Sequence, residues 1–140
     1  MQVLYTAEAT ATGDGRNGEV RSSDGVLDEQ LTTPQELGGA GGPRTNPEQL
    51  FAAGYAACFH SALRVAGRQS KVPLGETTVA ARVGIGPDGA GGYQLTVDLR
   101  AHLPGVEQSA AEELVALADR ICPYSNAMRG NVEVALTATV

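Results

Sequence analysis

The segment that begins at Asn46 constrains the fold more than any other part of the chain, because it joins a helix start to a run of small residues. Asn46 is a favoured N-cap residue, and Pro47 suits the first helical position. Gln49, three residues after the cap, can complete a capping box. These residues predict a helix from residue 47 to about residue 68. Residues 52–57 are mostly small and let other backbone approach closely, so we expect a buried central helix.

Alternation of apolar and polar side chains predicts strands on both sides of this helix. The predicted strands cover residues 3–12, 19–23, 26–31, 77–85, 93–103 and 132–140. The first three form a small antiparallel sheet, in which Asp24-Gly25 suits a tight hairpin turn. The fourth and fifth form a second hairpin, and the sixth closes the chain.

A second helix is predicted just before Cys122. Ser109 and Glu112 have the spacing of a capping box, and apolar residues recur at helical spacing after them. Pro123 ends this helix, because its ring cannot continue the turn and it has no N–H to donate. The predicted order β-β-β-α-β-β-α-β indicates an α+β fold, with two helices packed on antiparallel sheets in a single domain, residues 1–140.

Charge and composition exclude several classes of function. A net charge of −6 leaves no general basic surface for phosphates, which argues against nucleic-acid binding. No apolar run approaches the ~20 residues that a membrane span needs. The first residues lack the pattern of a secretory signal, so we expect a cytoplasmic protein. In a reducing compartment, two cysteines favour a redox, metal or buried-core role over a structural disulfide.

Two familiar motifs fail when their context is considered. Residues 84–89, Gly-Ile-Gly-Pro-Asp-Gly, have the spacing of a dinucleotide-binding loop, but a strand follows where that loop needs a helix. The candidate zinc ligands have no recognised spacing along the chain. They are Cys58, His60, His102 and Cys122. We therefore expect no bound cofactor and no metal.

The residues around the two cysteines leave their role open. Cys58 lies near the middle of the central helix, where a free cysteine is most often a small buried apolar side chain. Reactivity there requires a nearby cation, because the N-terminus of its own helix is too distant to stabilise a thiolate. Cys122 lies in the last turn before a proline, where a modest movement can expose it. A resolving cysteine requires that freedom.

Two segments resemble the signature motifs of a known family. Residues 46–59, Asn-Pro-Glu-Gln-Leu-Phe-Ala-Ala-Gly-Tyr-Ala-Ala-Cys-Phe, and residues 122–126, Cys-Pro-Tyr-Ser-Asn, resemble the organic hydroperoxide resistance proteins, the Ohr branch of the Ohr/OsmC family. The resemblance extends over essentially the whole chain. It implies an intertwined homodimer with the OsmC-like fold. It also implies a thiol-dependent peroxidase that reduces organic hydroperoxides to alcohols in the response to oxidative stress.

The resemblance assigns a role to each site residue. It implies that Cys58 attacks the peroxide and that Cys122 resolves the resulting sulfenic acid as a disulfide. Arg16 and Glu48 match the arginine and glutamate of the family's site. Arg16 would lower the pKa of the Cys58 thiol, and Glu48 would hold the guanidinium by a bidentate contact. The implied reductant is an external dithiol, either dihydrolipoamide or a lipoylated protein.

Helix geometry predicts that the site is shared between subunits. Glu48 and Cys58 are ten positions apart, which on one straight helix places them ~15 Å apart along the axis and on different faces. We therefore expect Glu48 to reach Cys58 of the partner subunit. A kink at Gly54, or a later helix start, would instead allow contact within one chain.

Three other interpretations stay open. The chain could belong to the OsmC branch, as a peroxidase with a different substrate range. It could be a non-catalytic dimeric binding protein in which both cysteines are core residues. It could also be a redox sensor that uses the same disulfide as a signal. Substrate kinetics, thiol alkylation and turnover with an added reductant separate these cases.

Overall fold

The central helix begins where its capping residues predict. Helix α1 spans Pro47–Gln69, and the backbone N–H of Gln49 donates to Oδ1 of Asn46 at 2.9 Å. The other half of the predicted capping box is wrong, because Oε1 of Gln49 accepts from the Thr45 hydroxyl at 2.8 Å instead. The helix start is thus confirmed, and a later start is excluded.

The computed structural model describes all residues, 1–140, as two units, residues 1–50 and 51–140. In the first unit, strands β1 (Ala9–Thr12), β2 (Glu19–Ser22) and β3 (Asp28–Gln30) form an antiparallel sheet in that order. This confirms the predicted sheet but shortens its first strand. Pairing of β1 starts only at Ala9, because its partner in β2 is Ser22, the last residue of that strand.

The second unit has a three-stranded sheet in the order β4-β5-β6. Strands β4 (Thr78–Pro87) and β5 (Tyr93–His102) form the predicted antiparallel hairpin. Strand β6 (Val134–Thr139) pairs with β5 in parallel, so the expectation of wholly antiparallel sheets is wrong here. The reason is the connection. Helices α2 (Gln108–Ile121) and α3 (Pro123–Met128) lie between β5 and β6, and such a crossover returns the chain in the same direction.

Helix α2 starts two residues earlier than the predicted capping box requires. Glu107 is its N-cap, and the Glu107 side chain accepts from the backbone N–H of Ser109 at 2.9 Å. Ser109 is already the second helical residue, so it cannot cap the helix as predicted. Glu112 instead accepts from the Gln108 side chain at 2.8 Å. The predicted Ser109–Glu112 capping box is therefore wrong, although the helix itself is confirmed.

Helix α3 has no counterpart among the predicted elements. Pro123 ends α2 as expected, but it is also the first residue of α3. A proline suits that position, because the first N–H groups of a helix have no partner within it. The same residue therefore stops one helix and starts the next.

The core of the second unit lies between α1, α2 and the sheet. Its fully buried large side chains are Tyr55, Phe59, Leu63, Leu99, Leu103 and Cys122. Burial of each aliphatic or aromatic side chain contributes on the order of 1.5–3 kcal/mol. This packing confirms that α1 is a buried central helix. None of the helices is both long and apolar enough to span a membrane.

Candidate active site

The two cysteines lie side by side in the second unit. Their Sγ atoms are 3.7 Å apart within one chain, and both are free thiols. Cys58 is partly exposed, whereas Cys122 is fully buried. The two sulfurs therefore lie close together within one chain, as the disulfide that the resemblance implies requires. A disulfide has an S–S distance of ~2.05 Å, so its closure requires a further approach of about 1.7 Å.

Cys122 lies at the junction of two helices. Its N–H donates to the Ala118 carbonyl at 2.8 Å and closes α2, and the same residue is the N-cap of α3. Its backbone is extended, with φ −65° and ψ 120°, as the clash with a following proline requires. Pro123 thereby turns the chain and directs the first amides of α3 toward the thiols. The backbone N–H of Tyr124 hydrogen-bonds to Cys58.

The electrostatics of this pair disfavour a thiolate at Cys58. Burial raises the pKa of the Cys58 thiol, and the adjacent Cys122 raises it further, mainly through the hydrogen bond between the two sulfurs and to a smaller extent through charge repulsion. The N–H of Tyr124 acts in the opposite direction. The net direction in the single chain is therefore a raised pKa, and burial of the thiol is its largest cause. The lowering of this pKa by Arg16 was expected across subunits, so it stays a prediction.

Arg16 and Glu48 form a bidentate ion pair in the first unit. The two guanidinium N–H groups donate to the two carboxylate oxygens at 2.8 and 2.7 Å. The Glu48 side chain is 14% exposed and that of Arg16 is 38% exposed, so the carboxylate is the better protected partner. The hydrogen bonds from Arg16 lower the pKa of Glu48, against the opposing effect of burial. The predicted bidentate contact is confirmed.

The turn that carries Arg16 is fixed by its neighbours. A short 3-10 helix spans Gly15–Asn17, and Gly18 follows it. A Cβ on Gly18 would lie 2.1 Å from the Thr12 carbonyl oxygen, so only glycine fits there. Oδ1 of Asn17 accepts from the Thr33 backbone N–H at 3.0 Å. Nothing in the sequence pattern singled out Asn17, although an amide side chain in a glycine-rich turn often bonds nearby backbone.

Glu48 is placed by the start of α1. It is the second residue of this helix, where the unpaired N–H groups and the helix dipole favour a carboxylate. The helix start predicted from Asn46 and Pro47 therefore also fixes the backbone position of Glu48. Its side chain then meets the guanidinium of Arg16, thirty-two positions earlier in the chain.

Three aromatic rings cluster in the second unit near the thiols. The ring centroid of Tyr124 is 6.1 Å from that of Phe51 and 5.5 Å from that of Tyr55. Phe51, Tyr55 and Cys58 follow each other at helical spacing, so they share one face of α1. Gly54 permits the approach of Tyr124, because a Cβ on Gly54 would lie 3.0 Å from the Tyr124 hydroxyl.

A buried hydrogen bond lies behind this cluster. The hydroxyls of Tyr55 and Ser125 are 2.9 Å apart, and these residues are 0% and 2% exposed. Burial raises the pKa of Tyr55, and the contact with Ser125 opposes that effect. The sequence pattern gave no signal for this pair, because the partners are far apart in the chain and both residue types are common.

The two histidines have other partners. Nε2 of His60 lies 2.8 Å from the Thr77 hydroxyl, and Nδ1 of His102 lies 2.9 Å from the Thr139 hydroxyl. No group of three or more histidine, cysteine or acidic side chains is placed to hold a metal ion. Each histidine therefore pairs with a threonine hydroxyl.

Comparison with known proteins gives this combination of fold and thiol pair a family. The profile described as OsmC-like protein matches residues 38–137. An organic hydroperoxide resistance protein from Xanthomonas axonopodis pv. citri is 55% identical over 137 residues, which cover 97% of this chain and 95% of that protein.

Solved structures that resemble this chain indicate the same family. An organic hydroperoxide resistance protein from Legionella pneumophila matches with a TM-score of 0.94 and 50% identity, over 99% of this chain and all of that chain. One from Elizabethkingia anophelis matches with a TM-score of 0.94 and 52% identity, over 99% of each chain. The chain belongs to the OsmC-like family, in its branch of organic hydroperoxide resistance proteins. The predicted OsmC-like fold is confirmed, and of the two branches considered the Ohr branch is supported.

Proposed function

We propose that this chain is a thiol-dependent peroxidase that reduces organic hydroperoxides to alcohols and so serves in resistance to oxidative stress. The observation that carries the proposal is the 3.7 Å distance between the sulfurs of Cys58 and Cys122 within one chain. Cys58 is accessible, whereas Cys122 is buried beside it. An accessible sulfur can meet a peroxide, and a protected one can wait to form the disulfide. The names of the relatives are consistent with this chemistry.

The first half of the cycle oxidises Cys58. Its thiolate attacks the outer oxygen of the hydroperoxide, an S–O bond forms, and the O–O bond breaks. The leaving alkoxide takes a proton and departs as the alcohol, and Cys58 remains as a sulfenic acid. Cys122 then attacks the Cys58 sulfur, so an S–S bond forms, the S–O bond breaks and water leaves. The disulfide protects Cys58 from irreversible oxidation.

The second half of the cycle needs an external dithiol. The chain has two cysteines, and both are used in the disulfide. Cys58 is the accessible sulfur, so the reductant attacks there and releases Cys122. The second thiol of the reductant then attacks the mixed disulfide and releases Cys58. The reductant departs with its two sulfurs joined as a disulfide. Dihydrolipoamide, free or carried on a lipoylated protein, is the dithiol that we propose.

We further propose that the Arg16–Glu48 pair acts in a homodimer, on Cys58 of the partner subunit. The course of α1 supports this, because Glu48 and Cys58 lie ten positions apart on one helix, which places them ~15 Å apart along its axis and on different faces. The bidentate contact holds the guanidinium in a fixed orientation. A guanidinium at the thiol would stabilise both the thiolate and the charge that develops on the leaving oxygen.

Peroxide consumption by the purified protein with dihydrolipoamide as reductant tests the proposed function. An alkyl hydroperoxide should be consumed faster than hydrogen peroxide, and Cys58→Ser should remove the activity. Ser70→Ala, at an exposed position, is the matched control. Equal rates for the wild type and Cys58→Ser would contradict a peroxidase that works through this thiol.

A further inference from the structure

The two reacting sulfurs belong to different elements, so their distance depends on how those elements are held together. Cys58 lies in α1, and Cys122 lies at the start of α3. Apart from contacts of the sulfurs themselves, one side-chain hydrogen bond joins α1 to α3. It is the bond between the hydroxyls of Tyr55 and Ser125, at 2.9 Å in the core.

The position of this bond relates it directly to the thiols. Tyr55 precedes Cys58 by three residues, which is about one turn of α1 and places both on the same face. Ser125 follows Cys122 by three residues and lies in the first turn of α3. The hydrogen bond is therefore about one helical turn from the reacting sulfurs on each element.

The C-terminal end of α3 is held to α2 by hydrogen bonds. Arg129, just beyond that helix, donates to the Asp119 carboxylate and carbonyl, both at 3.0 Å, and also to the Asn126 side chain. Asp119 belongs to α2, so this attachment does not involve α1. The position of Cys122 relative to Cys58 thus depends, among side-chain hydrogen bonds, on Tyr55 and Ser125.

We propose that the Tyr55–Ser125 hydrogen bond is a positioning contact that sets the rate at which the Cys58–Cys122 disulfide closes, an inference that rests on the proposed function. Removal of either hydroxyl leaves the other buried without its partner, and a small repacking follows. The rate of a reaction between two positioned groups is sensitive to such shifts, since a misplacement of ~1 Å can lower that rate about 10²-fold.

Slower closure has a chemical consequence. A sulfenic acid on Cys58 is either attacked by the Cys122 sulfur, with loss of water, or oxidised by a second peroxide to a sulfinic acid. The first path is unimolecular, and the second depends on peroxide concentration. The Tyr55–Ser125 bond therefore determines how much peroxide the protein withstands before Cys58 is lost.

Single-turnover kinetics of Tyr55→Phe and Ser125→Ala test this inference. One equivalent of alkyl hydroperoxide is added to the reduced protein, and the disulfide is followed by rapid quenching and mass spectrometry. We expect closure to slow roughly tenfold, as loss of a hydrogen bond of about 1.4 kcal/mol predicts. Consumption of the first peroxide should stay within about twofold of the wild-type rate. Sulfinic acid should form at a lower peroxide concentration than in the wild type.

Matched controls separate positioning from a general loss of structure. Tyr93→Phe and Ser70→Ala remove hydroxyls at exposed positions and should leave closure unchanged. The double variant Tyr55→Phe/Ser125→Ala should close no more slowly than the slower single variant, because both remove the same bond. Unchanged closure in the single variants overturns the inference, and so does an equal slowing of peroxide consumption and closure.

A second oxidant keeps this inference distinct from the proposed function. Diamide at saturating concentration forms an adduct with one thiol, which the other displaces, so it drives closure without peroxide. Slow closure of the variants with diamide would support the positioning contact even if the wild type consumed no hydroperoxide. Normal closure of the variants with diamide would overturn it, whatever the wild type does with hydroperoxides.

Discussion

The backbone N–H of Tyr124 hydrogen-bonds to the Cys58 sulfur, although Cys58 lies in the middle of a helix. A mid-helix sulfur is too far from its own helix N-terminus to gain from that end. Here the N–H comes from the second residue of α3. Pro123 makes this possible, because it starts α3 beside the thiols without needing a partner for an N–H of its own.

Substitution of each of the two cysteines should affect a different step of the peroxidase cycle. Cys58→Ser should abolish consumption of hydroperoxide, because the other thiol, Cys122, is buried. Cys122→Ser should retain the first reduction and block disulfide formation, so that sulfenic and sulfinic acids of Cys58 accumulate. Stopped-flow measurement of the first turnover, with mass spectrometry of the product, checks this. An equal loss of the first-turnover rate in both variants would contradict the assigned order.

Oxidation should join the two sulfurs within a monomer. The sulfurs are 3.7 Å apart in one chain, so closure needs no second chain. After one equivalent of hydroperoxide, intact-mass measurement under denaturing, non-reducing conditions should show a monomer that has lost a pair of hydrogen atoms. Cys122→Ser is the control and should not show that loss. A disulfide-linked dimer as the main product would rule out this pairing.

The pH profile of Cys58 alkylation should respond to Cys122. Burial and Cys122 raise the pKa of Cys58, so the thiolate forms only at higher pH. Cys122→Ala removes the effect of the second sulfur but keeps the effect of burial. The pH profile of Cys58 alkylation should therefore move toward lower pH. Iodoacetamide labelling of Cys58, read by peptide mass spectrometry across neutral and alkaline pH, measures it. A profile that stays in place or moves toward higher pH would show that Cys122 does not raise this pKa.

The same shift predicts a trend in stability. A raised pKa of Cys58 means that the unfolded thiol ionises first as pH rises. Its contribution to the free energy of unfolding is complete below the unfolded pKa and is lost as pH rises through the folded pKa. Urea unfolding of the wild type should therefore lose more stability at alkaline pH than Cys58→Ala does.

The orientation of the Arg16 guanidinium should matter as well as its charge. Arg16 donates two hydrogen bonds to Glu48, and lysine cannot reproduce that fork. Arg16→Lys should therefore reduce kcat/KM for an alkyl hydroperoxide by roughly 10²-fold, the scale of one lost interaction with a developing charge. Arg21→Lys, at an exposed ion pair with Asp28, is the matched control and should keep its activity. Full activity of Arg16→Lys would show that charge alone suffices.

Subunit mixing tests the shared site. Glu48→Ala and Cys58→Ser proteins are each expected to be inactive or strongly impaired, but a mixed dimer would contain one intact combination of Glu48 and Cys58 from different chains. Activity should therefore recover on mixing and exchange. Mixing Glu48→Ala with Arg16→Ala is the control, because both changes affect the same pair and no intact site results. No recovery in the first mixture, despite subunit exchange shown by native mass spectrometry, would place the whole site in one chain.

Local signals predicted the central helix well and other features poorly. Asn46 and Pro47 act within a single turn, so their effect on α1 depends little on the rest of the chain. The capping-box spacing of Ser109 and Glu112 is short and common, and Glu107, two residues earlier, caps the helix by accepting from the N–H of Ser109. Pro123 equally signals the end of a helix and the start of one, and the six residues of α3 are too few for a clear period.

Long-range features could not be predicted from these patterns. The parallel pairing of β6 depends on the path of the chain through α2 and α3, which alternation within one strand does not record. Tyr55 and Ser125 are seventy positions apart and meet only after the core packs. Arg16 and Glu48 were identified through family resemblance, since a single charged residue in a sequence does not indicate which residue it pairs with.

The unequal exposure of the two thiols makes the chain selectively addressable. A bulky thiol-directed fluorophore can reach the half-exposed Cys58, whereas the buried Cys122 is shielded from it. One dye per chain would then report whether Cys58 is reduced, because the sulfenic acid and the disulfide no longer offer a thiolate to the label. The unequal burial of the two thiols thus provides a readout of the redox state of the purified protein.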